Sequence, residues 1–332
     1  MPYNRRNFLN LLARTEPRNE DFLLHVSRTA MACRFEVTLP RSEENGVAVA
    51  TDALDEVDRL ESQLTVFRES SEVGYVNANA AKQPVRISHS LFDLLALCKK
   101  LHAETNGAFD ITSGPLTRCW GFLKREGRLP EKNEIENALL SVGSDKIQLD
   151  ESARTIYFSR PGVEINLGSI GKGFALDRVA SLVSERIRTA LLNAGASSMR
   201  AIGAGERNEG WVVGLRHPRS KLKRLGVLRL RDCGLATSGN EEQFFDLGGR
   251  RFSHIIDPRT GWPSERMTSV SVVAPNGALS DALATSFFVG GRELAETFCA
   301  RNKEVFVVLL ESNSQVPVVI GRSSGCDGLR HF

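Results

Sequence analysis

The chain has 332 residues, 41% of them hydrophobic and 25% charged, with a formal net charge of +3. That length suits one large domain or two of ordinary size, and the composition is that of a soluble globular protein. A charge so close to balance gives no reason to expect nucleic acid as a partner, and no stretch reaches the ~20 apolar residues a membrane helix needs.

The six cysteines, Cys33, Cys98, Cys119, Cys233, Cys299 and Cys326, are scattered and form no Cys-x-x-Cys pair. This argues against a zinc site and a disulfide framework, and for a reducing compartment. At the N-terminus, Arg5-Arg6-Asn7-Phe8-Leu9 has a twin-arginine look. The apolar run that follows is too short for a signal core, and Arg14, Glu16 and Arg18 come at once. The expectation is a leader over residues 1–28, a single domain over 29–322, a tail over 323–332, and a cytoplasmic location with no membrane insertion.

Arg34 to Leu39 alternates as a strand and stops at Pro40. Ala50, Ala53, Leu54, Val57, Leu60 and Leu64 recur at helical spacing, and a polar loop follows from Thr65 towards Asn77. A second helix runs from about Ser90 to His102, stopped by Asn106-Gly107. The next segment, Ala108 to Leu116, is too rich in Gly, Pro and Ser for a regular element. With Trp120-Gly121-Phe122 after it, it either holds a planar ligand or plugs the core with its aromatics.

Pro130 opens a short helix, and Ile147–Leu149 with Thr155–Phe158 reads as a hairpin. Ile165-Asn166-Leu167 reads as a strand end. Gly168-Ser169-Ile170-Gly171-Lys172-Gly173 then leads into a helix. Free amides and a lysine there describe either an anion site or a simple tight turn. It is not a P-loop, because Asn166 stands where the first Gly belongs and Gly173 follows the lysine.

From Ala190 onward strands dominate, including a hairpin of Phe244-Phe245 with Arg251–Ile256 around Gly248-Gly249. His254 and Asp257 stand at the end of that strand, where Asp257-Pro258-Arg259-Thr260-Gly261 turns. A histidine there is either structural or catalytic. Ser280 reads as an N-cap, with Asp281 in the first turn and Thr285 on the same helix face. That Asp either balances the helix dipole, contributing about 0.3–1 kcal/mol, or joins Thr285 as a hard-oxygen ligand pair of the kind Mg²⁺ takes. Glu293–Phe298 belongs to a last helix, and Val305–Leu310 pairs with Val316–Ile320. The whole is a single α+β domain with mostly antiparallel sheet and packed helices.

In this order, Gly107–Thr112, Asn166–Gly173, Thr237-Ser238-Gly239, His254–Gly261 and Asp281–Thr285 resemble the FAD:protein FMN transferases. These flavin transferases were formerly described as thiamine-biosynthesis lipoproteins. The likeness spans about Met31 to Gly290. It implies a fold of tunnelling-fold type, FAD as substrate, and Mg²⁺. The implied reaction moves FMN from FAD to a Thr or Ser hydroxyl of a target flavoprotein and releases AMP. By the same resemblance Asp281 and Thr285 ligate Mg²⁺, helped by main-chain oxygens near Ser169 and Ala284. Met31, Phe67, Ala108, Phe109, Asp110, Asn166, Lys172, His254 and Ile256 line the FAD, and His254 and Asp257 are the candidate bases.

The chain departs from the family pattern at several positions. Met31-Ala32-Cys33 replaces Met-Gly-Thr, Phe67 replaces a Tyr, and Asn166 an Asp. Gly195-Ala196-Ser197-Ser198 replaces a Gly-Gly turn, and the usual lipoprotein signal is missing. Two other functions share these residues. One is an FAD pyrophosphatase giving FMN and AMP; the other is an FAD-binding protein without turnover.

Overall fold

The computed structural model describes residues 23–124, 126–205, 207–220, 223–240 and 243–330. The Arg5-Arg6 stretch lies outside the described residues. In chain order the strands are β1 (Leu23–Ala30), β2 (Cys33–Pro40), β3 (Val85–Arg86), β4 (Ile147–Asp150), β5 (Thr155–Phe158), β6 (Ala190–Ala194), β7 (Ser198–Ile202) and β8 (Trp211–Arg216). They continue as β9 (Arg224–Leu230), β10 (Gly234–Gly239), β11 (Phe244–Leu247), β12 (Arg250–Ser253), β13 (Met267–Ala274), β14 (Phe306–Glu311) and β15 (Val318–Gly321). The α-helices are α1 (Gly46–Leu64), α2 (Glu72–Asn79), α3 (His89–Glu104), α4 (Gly114–Cys119), α5 (Lys132–Leu139), α6 (Gly171–Ser184) and α7 (Gly277–Arg301).

Eight strands form one sheet in the order β1-β2-β6-β7-β10-β13-β14-β15, and every neighbouring pair is antiparallel. Both faces of its centre are covered. Along β14, Val307 and Leu309 join the core under α1, α6 and α7, while Phe306, Val308 and Leu310 join a second core under the β8–β9 hairpin. The two-residue period of a strand sends alternate side chains to opposite faces. With both faces covered, β13 and β14 read as unbroken apolar or small-residue runs. A third cluster, built on Trp120, Phe122, Phe252 and Ile256, lies beside the sheet and carries the β11–β12 hairpin. Among the described residues, no helix is long and apolar enough to cross a membrane.

The fold departs from sequence expectation in several places. β1 begins at Leu23, within the stretch expected to be a leader, because it pairs along its length with β2. At the other end, residues 323–330 bridge to β9, Leu230 to Cys326 and Val227 to Arg330. No strand forms at Ile165–Leu167. There the Asn77 side chain acts as a strand neighbour would, donating to Ile165 O (3.0 Å) and accepting from Ile165 N (2.8 Å). Asn77 itself belongs to α2, a helix capped by Ser71, in what was expected to be loop.

α7 starts at Gly277, not near Ser280. Asn276 is the N-cap and accepts from Leu279 N (2.9 Å), while the Ser280 hydroxyl donates back to Gly277 O. Asp281 is therefore past the first turn. The expected last helix at Glu293–Phe298 is the second arm of α7, set off by Gly291 at φ 81°, ψ −172°.

Candidate active site

Four turns converge beside the N-termini of α6 and α7. They are the β1–β2 turn, the loop after α1, the Asn166–Lys172 segment, and the β6–β7 turn at Gly195–Ser197. With the segment Gln243–Phe245 and His254, they enclose a cavity of about 910 Å³. A second lobe of about 430 Å³ shares Phe67, Asn166, Lys172, Ser197 and His254 with it. This lobe reaches inward to Asp110, Asp281 and Thr285.

Most of the residues singled out in the sequence meet here. Met31 lines the large lobe. Ala108, Phe109, Asp110, Ser169, Ile256, Asp281 and Thr285 line the smaller one. Phe67, Asn166, Lys172 and His254 line both. Ala284 is fully buried on α7. Asp257 stands apart: its carboxylate accepts from the Arg259 guanidinium (2.8 and 2.7 Å) and the Arg259 amide (2.9 Å), and it is not part of the cavity wall. It organises the turn, which leaves His254 as the candidate base that faces the cavity.

Each group has a definite environment. His254 Nδ1 is 2.9 Å from Gln243 O. A carbonyl only accepts, so the neutral ring carries its proton on Nδ1, and Nε2 is its basic nitrogen. Lys172 Nζ donates to Ser197 Oγ. The Gly-rich turn is tightened from within, since Asn166 Oδ1 takes Gly168 N (2.9 Å) and Leu167 O takes Gly171 N (2.7 Å). Several of its amides are thus committed, and the Lys172 ammonium is the turn's main offer to an anion. Phe67 is 74% exposed at the mouth, with an open face for a planar ring. Trp120, by contrast, is fully buried, donates to Gly261 O and plugs the third core.

The two buried carboxylates differ. Asp110 accepts from Thr112 N (2.7 Å), Thr112 Oγ1 (2.6 Å) and Ser144 N (2.9 Å), and faces His102 Nδ1 at 3.0 Å. Burial pushes its pKa up, but the hydrogen bonds from His102 and Thr112 outweigh this and hold it below the usual value. Its carboxylate is occupied within the protein. Asp281 accepts from Gly173 N (2.6 Å) and Ser198 Oγ (2.7 Å). Burial pushes this carboxyl above its ordinary value, against the pull of the Lys172 charge.

A hard cation fits the inner end. Each Asp281 oxygen uses one protein partner and keeps a second lone-pair direction. Thr285 Oγ1 and Ser238 Oγ lie 3.2 Å apart beside it. All these donors are oxygen, the set Mg²⁺ takes, and a cation there would relieve the desolvation of the carboxylate. Among the described residues, no three His, Cys, Asp or Glu side chains gather to hold a metal ion, so Asp281 would be the single carboxylate of such a set.

Ser197, Ser198 and Ser238 were not picked out as site residues from sequence. Serines in turns and at strand ends are common, and the signal that marks these is their contact with Lys172, Asp281 and Thr285.

Residues 31–309 match the model of the ApbE family. The chain is 30% identical over 266 residues to an FAD:protein FMN transferase of Haemophilus influenzae, covering 77% of each chain. It is 28% identical over 272 residues to another from Klebsiella pneumoniae, covering 81% of this chain and 84% of that one. Its fold matches the crystal structure of an ApbE protein from Thermotoga maritima with a TM-score of 0.82 at 27% identity, covering 91% of this chain and 97% of the other. The family match runs from the β1–β2 turn into β14 and so takes in every cavity residue described above: the chain belongs to the ApbE family.

Proposed function

We propose that this protein transfers FMN from FAD to a Thr or Ser hydroxyl of an acceptor flavoprotein and releases AMP. The observation that carries this reading is the meeting of Phe67, Lys172, His254, Asp281 and Thr285 on one lobe. An aromatic face, a cation, a base and a hard-oxygen set are what a flavin pyrophosphate and its attack require. Phe67 stacks on a ring of the substrate, and Lys172 neutralises the pyrophosphate. Asp281 and Thr285 hold Mg²⁺, which when bound supplies Lewis-acid stabilisation of the phosphate charge. The acceptor oxygen forms a bond to the FMN phosphorus as the bond from phosphorus to the AMP oxygen breaks. The hydroxyl proton passes to His254 Nε2.

The test is incubation of the purified protein with FAD and Mg²⁺, with AMP measured chromatographically and acceptor labelling read by in-gel flavin fluorescence. Mg²⁺-dependent AMP release together with a labelled acceptor is expected. AMP and free FMN with no labelling would make the protein a pyrophosphatase. FAD binding with no AMP would make it a flavin-binding protein.

A further inference from the structure

A cavity of about 400 Å³ lies between the main sheet and the β8–β9 hairpin. Its walls come from β2, β6, β7, β10 and β13 on one side and from Val213 to Arg216 of β8 on the other. It meets the large lobe at Gly195–Ser197 and the smaller lobe at Ser197 and Thr237. Among the described residues, Ser197 is the one that lines all three, and its Oγ takes the hydrogen bond from Lys172. The far end opens at Arg34 and Arg216, both exposed.

One feature of the wall asks for a partner. Asn193 Oδ1 is buried and accepts no hydrogen bond from the described residues. A buried acceptor left unpaired costs about 1–3 kcal/mol, so such groups are kept where a donor arrives. The rest of the wall is mixed. Val213, Leu215 and Leu235 are apolar, Thr237 and Ser271 share a hydrogen bond of 2.8 Å, and Arg34 pairs with Glu36 at 2.6 Å. Arg216 leaves the mouth with one positive charge in excess.

We propose that this cavity receives an extended segment of the acceptor protein and delivers its hydroxyl past Ser197 to the Lys172 end of the active site. The inference rests on the transferase reading above. FAD occupying the two larger lobes leaves the second substrate in need of its own path, because in-line attack brings the nucleophile from the side opposite the leaving group. An extended chain supplies backbone N–H groups for Asn193 and alternate side chains for the apolar wall. The positive mouth favours a neutral or acidic segment over a basic one.

Two variants test this, Arg216→Glu at the exposed mouth and Asn193→Leu in the wall. The probe is a recombinant acceptor domain that the unaltered protein labels with FMN. Both variants should bind FAD as the parent does, by flavin fluorescence titration. Their KM for the acceptor domain should rise about tenfold, the effect of one lost charged or buried polar contact, with kcat at saturating acceptor little changed. An unchanged acceptor KM in both folded variants overturns the inference while the transferase reading stands. A loss of FAD affinity in Arg216→Glu also overturns it, because the cavity then belongs to the FAD site. If the unaltered protein binds FAD but labels no acceptor, the transferase reading falls and this inference with it.

Discussion

Asp177 and Asp281 cap each other's helices. Asp177, on α6, accepts from Gly277 N (2.7 Å) and Ala278 N (2.8 Å) at the start of α7. Asp281, on α7, accepts from Gly173 N (2.6 Å) in the first turn of α6. Ile170, at the N-cap of α6, has no side-chain cap bond, so a carboxylate from the neighbouring helix satisfies an amide the helix itself leaves open. The exchange locks together the starts of the two helices that carry Lys172 and Thr285.

Asp281→Ala should therefore cost stability as well as activity. It leaves Gly173 N–H and Ser198 O–H without their acceptor, at about 1–3 kcal/mol. Asp281→Asn keeps one acceptor oxygen and should lose less. Urea denaturation measures the difference, and an alanine variant as stable as the parent would remove the cap from the account. Both variants should lose Mg²⁺-dependent AMP release.

Gly173→Ala should be far worse than Gly171→Ala. A Cβ on Gly173 would stand 2.0 Å from Gly277 O, a backbone atom that cannot swing away. Separating the helices is expected to cost about 3 kcal/mol. At Gly171 the nearest atom is 3.8 Å away, and the helix should gain up to about 1 kcal/mol. Similar denaturation midpoints for the two variants would contradict the close approach.

Ala32→Gly should stabilise the fold. Met31 and Ala32 turn β1 into β2 at φ 47° and 59°, a region that a side chain makes unfavourable. Removing one Cβ is expected to add about 0.5–1 kcal/mol, after the entropy that glycine loses on folding. A lower melting temperature for this variant would show that Ala32 packs better than its backbone suggests.

The His102–Asp110 pair predicts a pH window. The Asp110 hydrogen bond raises the His102 pKa above its ordinary value. Its contribution is thus fully present below the unfolded histidine pKa and is lost as pH rises through the folded one. Asp110 is shifted downward, so its contribution is present above the ordinary carboxylate pKa and lost as pH falls through the folded value. Stability should peak between these limits. His102→Gln should cost about 1.5–3 kcal/mol in mildly acidic buffer and flatten the decline on the alkaline side. A variant whose pH profile parallels the parent's would show that the pair does not set it.

Phe67→Ala should leave stability within about 0.5 kcal/mol of the parent, because the ring is exposed. FAD affinity should fall by about 1 kcal/mol from lost stacking. Fluorescence titration reads the binding, and unchanged affinity would take Phe67 out of the flavin site.

Much of this was legible in the residues themselves. The periodic apolar positions of α1 and α3 predict those helices to within a few residues, because burial of one face dominates their stability. The β11–β12 hairpin announces itself through Gly248-Gly249, where both backbones take positive φ. The short motifs around Lys172, His254 and Asp281, singled out through their resemblance to the FAD:protein FMN transferases, supply residues that line one lobe of the cavity. What the residues could not reveal is which polar groups are already spent. Asp257 and Asp110 look as available as Asp281 in sequence. Only the folded chain sets Asp257 against Arg259 and surrounds Asp110 with His102, Thr112 and Ser144. α7 starts three residues before Ser280 because a cap is decided by which side chain reaches an amide, and Asn276 accepts from Leu279 N. The exchange of caps between Asp177 and Asp281, and the place of Ser197 where three cavities meet, join residues far apart along the chain. Local propensity carries no trace of such contacts; they exist because two glycines let two helix starts approach and an antiparallel sheet brings the β6–β7 turn beside them.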